Sequence, residues 1–170
     1  MKLAQCIILD LLKDYDPVPL LPETCNFHFS GVQLLDQDNP TDDPSILYIG
    51  TTTQISSFNT EKLKDFCIIC IGKKEDVSSY IKNYQANLIL IPENHSLASI
   101  VNTLYTGFHR ILNWDGELQN AILRKQNYQS LFSIGGRFFG KNAMIMVNSS
   151  YNVIGTNLLE SPTHEKLDFI

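Results

Sequence analysis

The chain has 170 residues, 44% of them hydrophobic and 18% charged, a balance ordinary for a soluble globular protein with an unstapled core. Its formal net charge of −5 argues against DNA or anionic-membrane binding by this chain alone, because both need clustered Lys and Arg. No apolar run approaches the roughly 18 residues of a membrane-spanning helix, and the start "MKLAQCIILDLLKDYD" lacks a basic leader and a small-residue cleavage site, so a cytoplasmic protein is expected.

Leu3, Ile7, Ile8, Leu11 and Leu12 stand at helical spacing and predict a helix over 3–12. "DPVPLLPE" then breaks it, since each proline fixes φ and removes a donor. "FHFSGVQLL" predicts two short strands split at Ser30-Gly31. "DQDNPTDDP" (36–44) reads as a solvated acidic loop, and its carboxylates do not follow a calcium-loop spacing.

Three short apolar runs follow: "ILYIG" (46–50), "CIICIG" (67–72) and "LILIP" (88–92), each starting 21 residues after the last. "QISSFNTEKLKD" and "KKEDVSSYIKNY" between them suit short helices. Continuous apolar strands alternating with helices predict a parallel sheet covered on both faces, with right-handed crossovers. A helical block comes next. Leu97, Ile100, Val101, Leu104, Phe108 and Ile111 share one face behind Ser96 as N-cap. Leu118 and Ile122 continue the stripe after an expected break near Gly116. Tyr128, Leu131, Phe132 and Phe139 mark a further helix ending at Gly140. Finally "NAMIMVNSSYNVIGTN" predicts a hairpin, with Ala143–Val147 as one strand, Asn148-Ser149-Ser150 as the turn, and strand resuming at Tyr151. The whole is an α/β chain: a short parallel sheet of βαβ units with flanking helices, then a helical block and a C-terminal β-hairpin. An isolated hairpin is marginal in water, so it requires partners.

Chemistry-bearing motifs are few. Of four cysteines, Cys67 and Cys70 form a Cys-x-x-Cys, but inside a strand-like run. Residues three apart on a strand face opposite ways, which predicts buried, unpaired thiols rather than a redox or zinc site. His28, His95, His109 and His164 stand at no ligand spacing, and no nucleophile-elbow or phosphate-loop motif occurs. No catalytic residue, metal site or cofactor is expected. The one candidate ligand site is "GTTTQ" after the first parallel strand, namely Gly50, Thr51, Thr52 and Thr53, because open α/β sheets bind ligands at strand C-terminal ends. Such a stretch is more often a helix N-cap.

"ILYIGT", then "NLILIPENHSLASIVNTLYTGFHRILNWDGELQNAIL", then "NYQSLFSIGGRFFGKNAMIMVNSSYNVIG" resemble the front of PucR-like or CdaR-like bacterial transcriptional regulators, related to the purine catabolism regulator. The resemblance covers about residues 46–157. It includes Trp114 and Leu118 as a Trp-x-x-x-Leu step, and departs at Gly135-Gly136, where the class often has alanines. It implies an α/β N-terminal domain (1–112), a helical connector (113–140) and the start of a truncated GAF-like or PAS-like sensor domain (141–170). It implies a non-enzymatic sensory and dimerisation module, with DNA binding in a missing C-terminal part. The expected partners are then a second copy and an unknown small-molecule effector, with no nucleic acid contacted by this fragment and no membrane. A self-contained small α/β enzyme or small-molecule-binding protein is the alternative reading. The dimer is expected through the block of about 96–139, on the stripe Leu104, Phe108, Ile111, Trp114, Leu118, Ile122, Leu131 and Phe132, with help from the hairpin.

Overall fold

A computed structural model describes residues 2–20, 27–35, 43–56, 64–139 and 145–156. The acidic loop, apart from Asp43 and Pro44, and Gly140 lie outside the described residues. The chain divides into two compact units, Met1–His109 and Arg110–Ile170.

In the first unit a parallel sheet forms where the apolar runs predict it. The strands are β4 (Gly31–Leu34), β5 (Ile46–Thr51), β6 (Cys67–Ile71) and β7 (Asn87–Ile91), preceded by β1 (Leu3–Ala4), β2 (Val18–Leu20) and β3 (His28–Phe29). Among the described residues five strands make one sheet in the order β2-β7-β6-β5-β4. Neighbours β4, β5, β6 and β7 are all parallel, and β2 joins β7 antiparallel. β1 and β3 form a separate antiparallel pair.

The β2 strand corrects the sequence reading, which saw only a helix breaker there. Pro19 sits opposite Ile89 on an edge strand. Proline is tolerated at an edge because no ladder partner is needed on its outer side. The first helix is also shorter than predicted: α1 spans Gln5–Leu11, because Leu3 and Ala4 are spent on β1.

Strand alternation divides the core into two layers. Tyr48, Ile68, Cys70, Leu88 and Leu90 pack in one cluster with Ile55 of α2 (Thr52–Ser56) and Val77 of α3 (Lys74–Tyr84). Leu47, Ile49, Ile69, Ile89 and Ile91 face the other way and are fully buried. That face falls to α1 and to α4 (Leu97–Leu123), whose Ile8, Ile100 and Leu104 are fully buried outside the first cluster, as is Leu12 at the end of α1. The two helices touch directly, for a Cβ on Gly107 would come 2.6 Å from Leu11 Cδ1. The Tyr15 hydroxyl adds bonds to Ser99 Oγ (2.8 Å) and Thr103 Oγ1 (2.7 Å) on α4. Ser96 caps α4 as expected, its hydroxyl accepting from the Ser99 N–H at 3.0 Å.

The expected break at Gly116 does not occur, and α4 runs unbroken for 27 residues. Nothing lies within 4 Å of where a Gly116 side chain would begin. A lone glycine costs a helix only about 1 kcal/mol, which flanking packing outweighs.

In the second unit α5 spans Tyr128–Phe139 and the hairpin is β8 (Ile145–Val147) with β9 (Val153–Thr156). Asn148 Oδ1 accepts the N–H groups of Ser150 and Asn152, both at 2.9 Å, as turn chemistry predicts. Tyr151 does not resume the strand. It sits in the turn at φ 61° and is 87% exposed, and strand begins again at Val153.

Candidate functional site

The four candidate residues lie at a strand-to-helix junction with no loop between. Gly50 and Thr51 end β5, and Thr52 and Thr53 open α2. Gln54 organises them. Its Oε1 accepts from the Thr51 N–H (2.8 Å) and hydroxyl (3.2 Å), while its Nε2 donates to the Leu35 carbonyl at 3.2 Å. The Thr51 and Thr53 hydroxyls are 2.9 Å apart. Neither of these partners of the Thr51 hydroxyl is a base, so it is not set up as an activated nucleophile. Gly50 is required by packing: a Cβ there would fall 2.6 Å from Leu35 Cδ1 and 3.1 Å from Gln54 Oε1.

The chain leaves β6 into α3 on one face and leaves β7 into α4 on the other. Such a divergence is where open α/β sheets make a crevice. Gly72 follows β6 and bonds the Ile91 carbonyl through its N–H at 3.0 Å. The Thr52 side chain lies against Gly72, which joins the two strand ends into one rim. Lys73 Nζ and the Glu93 carboxylate stand 3.5 Å apart across the divergence, both largely exposed. An exposed pair of this kind adds little stability. The threonine hydroxyls thus lie at the end of β5, with the Gln54 carboxamide bonded to Thr51 and Leu35, and the exposed Lys73–Glu93 pair lies past the ends of β6 and β7. Sequence reading found the threonines. It missed Gln54 and the Lys73–Glu93 pair, which no motif spacing links.

The cysteine pair behaves as strand alternation predicts. Both side chains are buried, and Cys70 belongs to the α2–α3 cluster while Cys67, three residues away, faces the other side. Burial, with a smaller contribution from the nearby Asp76 charge, pushes the Cys70 thiol up to about 12 from its ordinary 9.0. Such a thiol does not supply a thiolate near neutral pH. Among the described residues no three His, Cys, Asp or Glu side chains gather where a metal could be held.

The second unit offers a surface rather than a pocket. Trp114 stacks on Phe138 at 4.4 Å between ring centroids, and the Arg110 guanidinium lies 5.7 Å over the same Phe138 ring. Arg137 donates to Glu117 at 2.6 Å. A shallow hollow of about 250 Å³ is lined by Glu117, Asn120, Arg124, Gln126 and Ile134. α5 covers the end of the hairpin. Gln129 Nε2 donates to the Thr156 carbonyl at 2.7 Å, and its Oε1 accepts the Thr156 N–H at 3.2 Å. Phe132 fills the space that a side chain on Gly155 would need.

The predicted dimer stripe is largely used within the chain. Leu104, Phe108 and Ile111 are buried, and Trp114, Leu118, Leu131 and Phe132 are partly covered. Of that stripe Ile122 stays exposed, at 62%, and its neighbour Leu123 is 79% exposed. The hairpin is exposed as well: Ile145, Met146 and Val147 are 45, 39 and 49% exposed, so β8 is uncovered on both of its faces.

The chain thus has an α/β sheet unit and a helix-and-hairpin unit. No family model, curated protein or solved structure matches this chain. No helix among the described residues is long and apolar enough to cross a membrane.

Proposed function

We propose that this chain is a non-enzymatic sensory and dimerisation module of a bacterial transcriptional regulator of the PucR-like kind, with DNA binding carried by another part of that regulator. The observation that supports this reading most is the order of elements after the sheet. β7 feeds the 27-residue α4, and α5 then packs on the β8–β9 hairpin. That is the order the resemblance over 46–157 implies. A continuous helix can transmit a change at the sheet rim to a dimer contact in the second unit. The rim of Gly50, Thr51, Thr52 and Thr53 with Lys73 and Glu93 is the proposed place of a small polar effector, and the second unit is the proposed place of self-association.

Sedimentation equilibrium tests the assembly. The expected mass is twice 19.3 kDa. A mass that stays at the single-chain value up to about 100 µM overturns it, since an interface of standard size holds well below that concentration. The effector site is tested by thermal shift against a metabolite panel. A stabilising compound used at about 100 times its Kd adds about 2.7 kcal/mol, and a Thr51→Val, Thr53→Val variant is expected to lose that shift.

A further inference from the structure

We infer that two copies of this chain join edge to edge through β8, making one four-stranded antiparallel sheet about a two-fold axis. The inference rests on the dimerisation reading above and specifies its contact.

The two outer edges of the hairpin differ. On β9 the edge is closed from within. Both the N–H and the carbonyl of Thr156 are bonded to the side-chain amide of Gln129, which stands where a neighbouring strand would. On β8 no strand of the described residues occupies the outer edge, and all three side chains are exposed. Natural edges are normally guarded by charge, proline or a bulge that turns them away; this ladder does shift register between Met146 and Val147, with Ile154 the extra residue, but that residue lies on β9 and not on β8. From Ile145 to Thr156 there is no Asp, Glu, Lys, Arg or Pro, although the chain as a whole carries −5. The hairpin is thus a surface on which two like-charged copies can meet without setting carboxylates against each other. With no described strand on the β8 edge and Gln129 blocking the β9 edge, association closes at two copies instead of growing into a fibre.

The register follows from the pairing. Thr156 turns both backbone groups away from β8, so its partner Ile145 is in a non-hydrogen-bonded pair and also points its N–H and carbonyl outward. Met146, opposite Gly155, then points its own groups toward β9. A two-fold axis through Met146 sets Ile145 against Val147 of the second copy, in a ladder whose side chains are all apolar. The two Met146 residues face each other as a non-hydrogen-bonded pair, with Cα atoms about 4.5 Å apart. That spacing lies within the range a disulfide spans.

Two measurements test this on the full chain. In a Cys6→Ser, Cys25→Ser background, Met146→Cys is expected to form a covalent dimer under mild oxidation. Tyr151→Cys, more exposed but in the turn, is expected to give at least tenfold less. In sedimentation, Val147→Lys is expected to weaken the dimer at least tenfold, and Ile122→Lys, on the exposed end of α4, to leave it unchanged. Equal cross-linking of the two cysteine variants overturns the β8 contact. So does a dimer that survives Val147→Lys but is lost in Ile122→Lys, although in that case the dimerisation reading stands. A monomeric parent chain overturns both, and a mass that climbs past two copies overturns the closed two-fold sheet.

Discussion

At single residues, packing explains more of this protein than charge does. Gly50 invites a functional reading because it precedes three threonines, yet its first duty is to let Leu35 and Gln54 meet over the end of β5. Gly50→Ala is expected to cost about 1–3 kcal/mol in a denaturant titration, because the added methyl must displace Leu35 in a packed core. A cost under about 0.5 kcal/mol would show that Leu35 swings aside freely. Cys70 makes a second, pH-dependent prediction. Its thiol holds its proton to about 12 in the fold and ionises from about 9.0 once exposed. The unfolded chain thus loses this proton first, so the contribution of Cys70 to stability is complete below pH 9 and is lost as pH rises toward 12. The slope is on the order of 1 kcal/mol per pH unit. Tyrosines and lysines also titrate there, so the measurement is the difference in alkaline slope between the parent and Cys70→Ala. Identical slopes from pH 9 to 11 would mean that water reaches Cys70 in the fold.

At the scale of elements, the most legible part was the part with the least side-chain variety. The runs at 46, 67 and 88 are apolar on both faces, and only a covered parallel sheet buries both faces of a short strand. Ile49 and Ile69 are directly paired and fully buried, and Leu90 lies on the adjoining strand facing the other layer. Ile69→Ala is accordingly expected to cost about 2–5 kcal/mol, read by chemical denaturation, with a surface-like cost counting against the central position of β6. Three features were illegible for identifiable reasons. β2 hides behind Pro17 and Pro19, because local propensity cannot show that a distant strand, β7, leaves its edge free. The continuity of α4 hides behind Gly116, because the penalty of one glycine is small beside the packing of the flanking turns. The Lys73–Glu93 pair is set by the pairing of β6 with β7, which no spacing within the chain records. The threonine half of the rim was legible only because it follows a strand directly.

Over the whole molecule, the charge distribution makes a prediction that separates kinds of contact. The chain carries −5, so two copies repel at long range whatever surface they share. Were the contact built on ion pairs, such as a swap of the Glu117–Arg137 pair between copies, salt would screen its attraction and weaken the dimer. A contact through the chargeless hairpin has no such attraction to lose. Salt then screens only the repulsion, over a distance of about 30 Å at 0.01 M that shrinks to about 8 Å at 0.15 M. The self-association of this chain is therefore expected to tighten modestly, by less than about tenfold or 1.4 kcal/mol, on passing from low to physiological ionic strength. Sedimentation velocity at the two salt concentrations measures it. A dimer that loosens with salt would place charged side chains at the contact and move it from the hairpin to the polar face of α4 and α5.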